Sequence, residues 1–304
     1  MTERGVAPLD QDSARTALDE LFTLAGKYNS SDAYFELMRF VGRFRFYSPF
    51  NAMLIYTQMP GAHFVCTAGR WRKDYRREIK IGARPIVILQ PMGPVLFVFD
   101  VSDTTPLPTA PSLPPQVEDP FQVRNGQIGG QLMLTIDNAK RDGIRVSERA
   151  DGSQQAGSIE WAAAGQHLEI PAKNPSLKST HVPVWFELLL NSLLSAEARY
   201  GTLVHELAHV YCGHLGTPNP RWWPDRQNLS LAVCEFEAES VSYLVCTRLG
   251  IDTASDEYLA AYVRRCPVTP AISLDRVIKS VLLIEQMGRA PLGLRRQQMP
   301  DGNG

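Results

Sequence analysis

The sequence is short of cysteine, of net charge and of long apolar runs. Its five cysteines, Cys66, Cys212, Cys234, Cys246 and Cys266, are odd in number, include no C-x-x-C and lack the close spacing of a disulfide framework. That pattern argues against a disulfide-stapled scaffold and suits mostly buried free thiols in a reducing cytoplasm. The formal net charge is −1, so no global field draws the chain to nucleic acid or membrane, and any nucleic-acid surface must be local. No stretch approaches the roughly 20 apolar residues of a membrane helix. The longest apolar runs are broken by Arg, Glu or Pro, and residues 1–21 lack the apolar segment of a signal peptide. G-x-S-x-G, a phosphate-cradling glycine loop and internal repeats are also missing. What remains is 304 residues of ordinary globular composition, 44% hydrophobic and 21% charged, enough for two domains in a soluble, cytoplasmic protein.

Against these absences stands residues 202–211, T-L-V-H-E-L-A-H-V-Y, an apolar helical stretch holding H-E-x-x-H. Positions four apart on a helix sit one above the other, so His205 and His209 point the same way. Two neutral imidazoles so placed can grip one zinc ion, and Glu206 beside them can take a proton from a metal-bound water. A third protein ligand is needed. His214 lies five residues on, but the three-histidine pattern would require Gly at 212 and His at 215, where this chain has Cys212 and Leu215. The better source is residues 234–246, C-E-F-E-A-E-S-V-S-Y-L-V-C, whose apolar positions fit a helix packed on one side. Glu235 and Glu239 are four apart and share a face. One could ligate while the other accepts the N–H of a ligand histidine. Alone, such a cluster reads as a solvated acidic face; after H-E-x-x-H it reads as the completion of a metal site. Glu235 is the first choice as ligand and Glu237 the fallback.

With HELAHVYCGHLG at 205–216, W-P-D-R at 223–226 and EFEAESVSYLVCTRLGID at 235–252, the second half of the chain resembles the ImmA/IrrE family of zinc metallopeptidases. The resemblance implies a zincin-like architecture, Glu235 as the third ligand in an E-x-x-A-x motif, and limited cleavage of a specific protein, often a repressor controlling a mobile element or stress response.

The segment from Arg39 to Arg84 differs in composition from the rest. Arg39, Arg43 and Arg45 alternate with Phe40, Phe44, Phe46 and Tyr47, and Arg70, Trp71, Arg72, Lys73, Arg76, Arg77 and Lys80 follow. Cations that track phosphates, interleaved with aromatics that stack on bases, are the means of single-strand binding. The plain alternative is a solvated basic face over an aromatic core. Residues 48–55, S-P-F-N-A-M-L-I, then Trp71, Arg77, Lys80 and Gly82 and the strands at 86–89 and 95–99 resemble the N-terminal domain of ArdC-type antirestriction proteins, which bind single-stranded DNA. The likeness departs at Ile81 and Ala83, where that family usually has Lys-Gly-Glu around Gly82. Composition and likeness together make Arg43, Arg45, Tyr47, Asn51, Arg70, Trp71, Arg72, Lys73, Arg76 and Lys80 the candidate nucleic-acid residues.

Local patterns fill in the order. Helical periodicity covers 13–46, with a turn and helix start at 28–32, and a short helix follows Ser48-Pro49. Residues 62–66 suggest a strand, and 85–89 and 95–99 a hairpin around Gly93-Pro94. Residues 103–120, with six prolines, read as an extended linker rather than a ladder strand. A helix from 121 to 140, extended segments at 144–147, 158–161 and 167–170, and hairpin turns at Asp151-Gly152 and Ala164-Gly165 are expected beyond it. Residues 184–190 fit helix or strand; the zinc-peptidase resemblance makes them the strand nearest the cleft, with an open edge for an extended substrate. Ser195 caps the metal helix, Trp222 and Trp223 sit in a loop that is a cleft wall or a packing anchor, Gly250 stops the acidic helix, and 256–265 and 273–287 are helical.

The expectation is thus an α+β protein: an ArdC-like domain at 1–103, a linker at 104–120, a zincin-like metallopeptidase domain at 121–292 with a small sheet and active-site helices, and a frayed tail at 293–304. One zinc ion is held by His205, His209 and Glu235, with Glu206 as base and Glu239 orienting a histidine. His214, Tyr243 and Tyr262 are the candidate oxyanion donors. The rival expectation is a DNA-binding antirestriction protein whose zinc is mainly structural.

Overall fold

The computed structural model describes residues 30–90, 93–113, 127–150, 156–171 and 179–295. The helix expected before residue 30, most of the proline-rich stretch and the tail beyond 295 lie outside them. The chain is mixed α+β and divides into two compact units, one drawn from Met1–Arg124 with Tyr262–Thr269, the other from Asn125–Ala261 with Pro270–Gly304.

In the first unit, helix α1 (Ser31–Arg43) starts where Ser30 accepts the N–H of Ala33, and α2 (Pro49–Gln58) starts where Ser48 does the same for Asn51 with proline at its first position. Their facing sides bury Leu37, Met38, Val41, Ala52, Met53, Leu54 and Ile55 completely, each large side chain contributing about 1.5–3 kcal/mol. Strand β1 (Val65–Cys66), helix α3 (Ala68–Tyr75) and strands β2 (Arg77–Ile79), β3 (Ile86–Gln90), β4 (Gly93–Asp100) and β5 (Thr104–Pro106) follow. The β3–β4 hairpin forms, in a sheet of order β1-β4-β3, although Gly93-Pro94, expected at its turn, open β4 with Gly93 paired to Gln90. Among the described residues the sheet's β3 edge is covered by side chains rather than by another strand. Asn51 exchanges two hydrogen bonds with the Leu89 backbone and Gln58 exchanges two with Val87, so two amides seven residues apart on α2 occupy the outward peptide groups. Residues 104–106 were expected in the linker, yet they pair antiparallel with β2. A two-stranded sheet is all edge, and there a proline costs no central ladder bond.

In the second unit, helix α4 (Gln131–Lys140) begins after Gly129-Gly130, a pair that disfavours helix, while residues 121–126 of the helix expected from 121 lie outside the described residues. Strands β6 (Ile144–Arg149), β7 (Gly157–Trp161), β8 (His167–Pro171), β9 (Ser179–Pro183) and β10 (Phe186–Asn191) come next. The extended segments are where they were expected, but their partners are not. β6 and β7 do not form a hairpin with each other; β10 lies between them, parallel to β6 and antiparallel to β7, while β8 pairs with β9. Residues 186–191 are therefore a central strand with both sides paired, which corrects the expectation of an open edge there. Phe186, Leu188 and Leu190 alternate inward and are buried with Ile144.

Helix α5 (Ala196–Tyr211) packs on β7 and β10 on one side and on helix α6 (Leu231–Leu249) on the other. Helix α7 (Ala254–Arg265) follows, and α8 (Leu274–Arg289) packs against α4, α5 and α6. Ser195 accepts the Ala198 N–H at the start of α5, as its position suggested, and Gly250, at φ 82°, ends α6 in the left-handed conformation. No helix among the described residues is long and apolar enough to cross a membrane.

Candidate metal centre

Two helices bring the site together. On α5, His205 and His209 are one turn apart, with Nε2 atoms separated by 3.2 Å. On α6, Glu235 faces both: its Oε2 lies 3.6 Å from His205 Nε2 and its Oε1 3.7 Å from His209 Nε2. Donors at about 2.0–2.2 Å from a tetrahedral ion stand roughly 3.3–3.6 Å apart. The observed separations, 3.2 to 3.7 Å, lie within about 0.1 Å of that range, and the two-nitrogen, one-carboxylate set leaves room for a fourth ligand. These three residues fit a divalent cation.

Glu237, the fallback ligand, points elsewhere. Two residues along a helix turns the side chain by about 200°, and Glu237 is fully buried beneath the site. There it accepts from His214 Nε2 at 2.9 Å, from Arg226 Nη1 and Nη2 at 2.7 Å each, and from the Ser273 N–H at 2.7 Å. Burial alone would raise its pKa, but His214, Arg226 and Ser273 hold it below the usual carboxylate range. Glu239 sits one turn beyond Glu235, its Oε1 3.6 Å from His205 Nδ1. That is close enough for attraction and too long for a hydrogen bond.

Glu206 lines a cleft of about 530 Å³ with His205, Glu239, Thr202, Ser242 and the start of β7. Burial raises its carboxyl pKa, with His205 opposing and Glu235 adding to the shift. Burial likewise disfavours charge on His205, but the carboxylates of Glu235 and Glu239 outweigh it and push the pKa up to about 10. His209 moves the other way, held down by burial and then by the charge on His205.

The three candidate oxyanion donors are dispersed. His214 is buried, with Nδ1 3.0 Å from His209 Nδ1 and Nε2 on Glu237, so neither ring nitrogen is left for a substrate oxygen. Tyr243 is buried on α6, and Tyr262 groups with the first unit. Trp223 is a packing anchor rather than a cleft wall, buried and donating to Gly216 O at 2.9 Å.

Most candidate nucleic-acid residues are committed within their own unit. Arg43 lies over Phe40 and Phe44 and donates to Ala62 O at 2.7 Å; Tyr47 donates to Val65 O at 2.8 Å. Asn51 closes the β3 edge as described, and Arg45 is half-buried. Trp71 is fully enclosed, donating to Phe99 O at 2.8 Å, which removes its ring as a base-stacking platform. Arg70 pairs with Asp74 at 3.2 Å, Arg76 caps α3 in the left-handed region and reaches Thr109, and Lys80 donates to Ser102 O at 2.7 Å. Arg72 and Lys73 are exposed, with no hydrogen bond or ion pair among the described residues.

No family model matches the chain. An uncharacterized protein of Bacillus anthracis is 22% identical over 84% of this chain and 47% of its own length, so the chain spans about half of that relative. Among solved structures, the antirestriction ArdC protein from the R388 plasmid in its Mn(II)-bound form is similar at a TM-score of 0.36 and 13% identity, covering 80% of this chain and 85% of that one. Its metal-free form is similar at a TM-score of 0.32 and 13% identity, covering 80% and 82%. Of the two resemblances met in the sequence, only the ArdC-type one returns in these comparisons.

Proposed function

We propose that the second unit is a zinc-dependent peptidase centre acting on a specific protein substrate. The observation that carries this reading is the convergence of His205, His209 and Glu235 at tetrahedral spacing, with Glu206 on the wall of the adjoining cleft. Two imidazoles and one carboxylate are a donor set that suits zinc. When bound, the ion supplies a Lewis acid and lowers the pKa of a water it holds to about 7. Glu206, its proton affinity raised by burial, accepts the proton of the attacking water and passes it to the leaving amine. Glu239 faces the far nitrogen of His205 at 3.6 Å and biases that ring by attraction rather than by a hydrogen bond. The test is Glu206→Gln in the full chain, assayed on a pool of quenched fluorescent peptides. The variant keeps its metal and loses cleavage; cleavage at the parental rate with metal bound would contradict the mechanism.

A second reading is an antirestriction-type protein that binds single-stranded DNA and keeps its metal mainly for structure. It accords with the ArdC-type likeness of residues 48–99, and the structural observation that favours it is the exposure of Arg72 and Lys73 on α3. Anisotropy of a labelled oligonucleotide across a salt series tests it. This reading expects binding that falls steeply with salt and is indifferent to Glu206→Gln; no binding at low salt removes it.

A further inference from the structure

We infer that His214 is a positioning residue for the metal site, the middle link of a chain running from His209 through His214 to Glu237. The inference rests on the ligand set proposed above. His209 presents Nε2 to the other two ligands, so a bound cation takes the lone pair on that nitrogen and the ring hydrogen sits on Nδ1. That Nδ1–H points at His214 Nδ1, 3.0 Å away, which must therefore accept. The His214 hydrogen is then on Nε2, where it donates to Glu237 Oε2 at 2.9 Å. Glu237 can only accept here, because its other three contacts, from both Arg226 amino groups and the Ser273 N–H, are all donors. Each hydrogen in the chain has one place to go, and the chain ends on a carboxylate that is held from four directions.

The backbone that makes this possible is the turn after α5. Gly213 takes φ 83°, and a Cβ there would meet Pro224 O at 2.2 Å, so only glycine lets the chain reverse and return the imidazole of residue 214 to His209. Arg226 braces the same turn, donating to Cys212 O at 3.0 Å while it clamps Glu237. The contrast with His205 is direct, since its far nitrogen has only Glu239 at 3.6 Å.

Cys212, His214 and Glu237 also lie close enough to share an ion. Two features speak against it. Glu237 has no acceptor position to spare, and the buried Cys212 Sγ is already engaged, 3.3 Å from Ser280 Oγ. The cluster is the support of the metal site rather than a second one.

The experiment measures zinc affinity of the full chain by competition with a chromophoric chelator, for the parent, His214→Leu and His214→Gln, alongside thermal unfolding of the metal-free forms. Leucine removes the link and weakens zinc binding about 10–100-fold, the range for losing a partner behind a ligand histidine. Glutamine offers an acceptor oxygen and a donor nitrogen and returns affinity to near the parental value. Parental affinity in His214→Leu overturns the inference, as does a folded His214→Gln that binds as weakly as leucine. Two ions per parent chain would make His214 a ligand and overturn it equally. Should His214→Leu not fold, nitrogen-15 spectra of the zinc-loaded parent decide: hydrogen on His209 Nδ1 and His214 Nε2 supports the chain, and hydrogen on His214 Nδ1 refutes it. None of these readings needs a substrate, so a failed peptidase assay leaves the inference standing, whereas a parent that takes up no metal removes both.

Discussion

Helices α5 and α6 and the basic, aromatic stretch at 39–84 both present chemically suggestive residues in the sequence, and the structure uses them in opposite ways. In the second unit His205, His209 and Glu235 turn their donor atoms toward one another, all within 4.8 Å. In the first unit Arg43, Tyr47, Asn51, Trp71 and Lys80 each spend a polar atom on a backbone partner. The lesson is that spacing on a helix constrains where a side chain points, whereas composition does not. A cation amid aromatics is as useful to a fold, stacked and bonded to a carbonyl, as it is to a nucleic acid.

The largest effect that would sharpen this contrast is on the metal side. Glu206→Gln is expected to lower the proposed hydrolysis by about 10²–10⁴-fold, the scale of a general base, without loss of metal. Peptide turnover with parallel elemental analysis checks it, and joint loss of metal and turnover would make Glu206 structural. On the other side, Trp71→Ala is expected to destabilise the first unit by about 3–5 kcal/mol, since it empties a fully enclosed site and removes the indole donor from Phe99 O. Denaturant unfolding reads this; a stable variant that loses only DNA binding would return Trp71 to the nucleic-acid surface.

A third expectation concerns pH. In the metal-free protein His205 stays protonated across neutrality, with a pKa of about 10 against an ordinary 6.5. Its contribution to stability is full below the ordinary value and is lost as pH rises through the folded one. A cation must displace that proton, so affinity rises with pH toward 10, and uptake near neutrality releases about one proton. Calorimetry in two buffers of different ionisation enthalpy measures the release, and heats independent of buffer would contradict it. The smallest effect is expected from Arg72→Ala with Lys73→Ala. The fold is unchanged, and any single-strand binding loses about 0.7 in salt slope for each phosphate contact removed. Parental slopes would leave α3 outside any nucleic-acid surface.

Much of the site was readable because it is local. A four-residue repeat of histidines with a serine cap ten residues before His205, no Gly or Pro after Gly201, and glutamates in a second apolar run required only helical periodicity. The choice between Glu235 and Glu237 did not follow from periodicity, because it depends on which face of α6 meets α5. His214 was legible as a residue and not as a role. Its position depends on a left-handed glycine and on Arg226 and Ser273, far along the chain. The same divide runs through the fold. Strand positions were readable from alternation, but the insertion of β10 between β6 and β7 was not, since pairing between segments so far apart in the chain leaves no mark in either strand. The role of Gln58 on the β3 edge was missed for the same reason, although its spacing from Asn51 by two helical turns was a usable signal.

The central claim is that His205, His209 and Glu235 form one divalent-metal site. Elemental analysis of the purified full chain tests it most directly, for the parent, His209→Ala, Glu235→Ala and Glu237→Gln, each loaded with zinc and freed of excess. The account predicts close to one ion per parent chain, loss in His209→Ala and Glu235→Ala, and retention with weakened affinity in Glu237→Gln. Metal that survives both ligand changes, or a parent that holds none after loading, would contradict it.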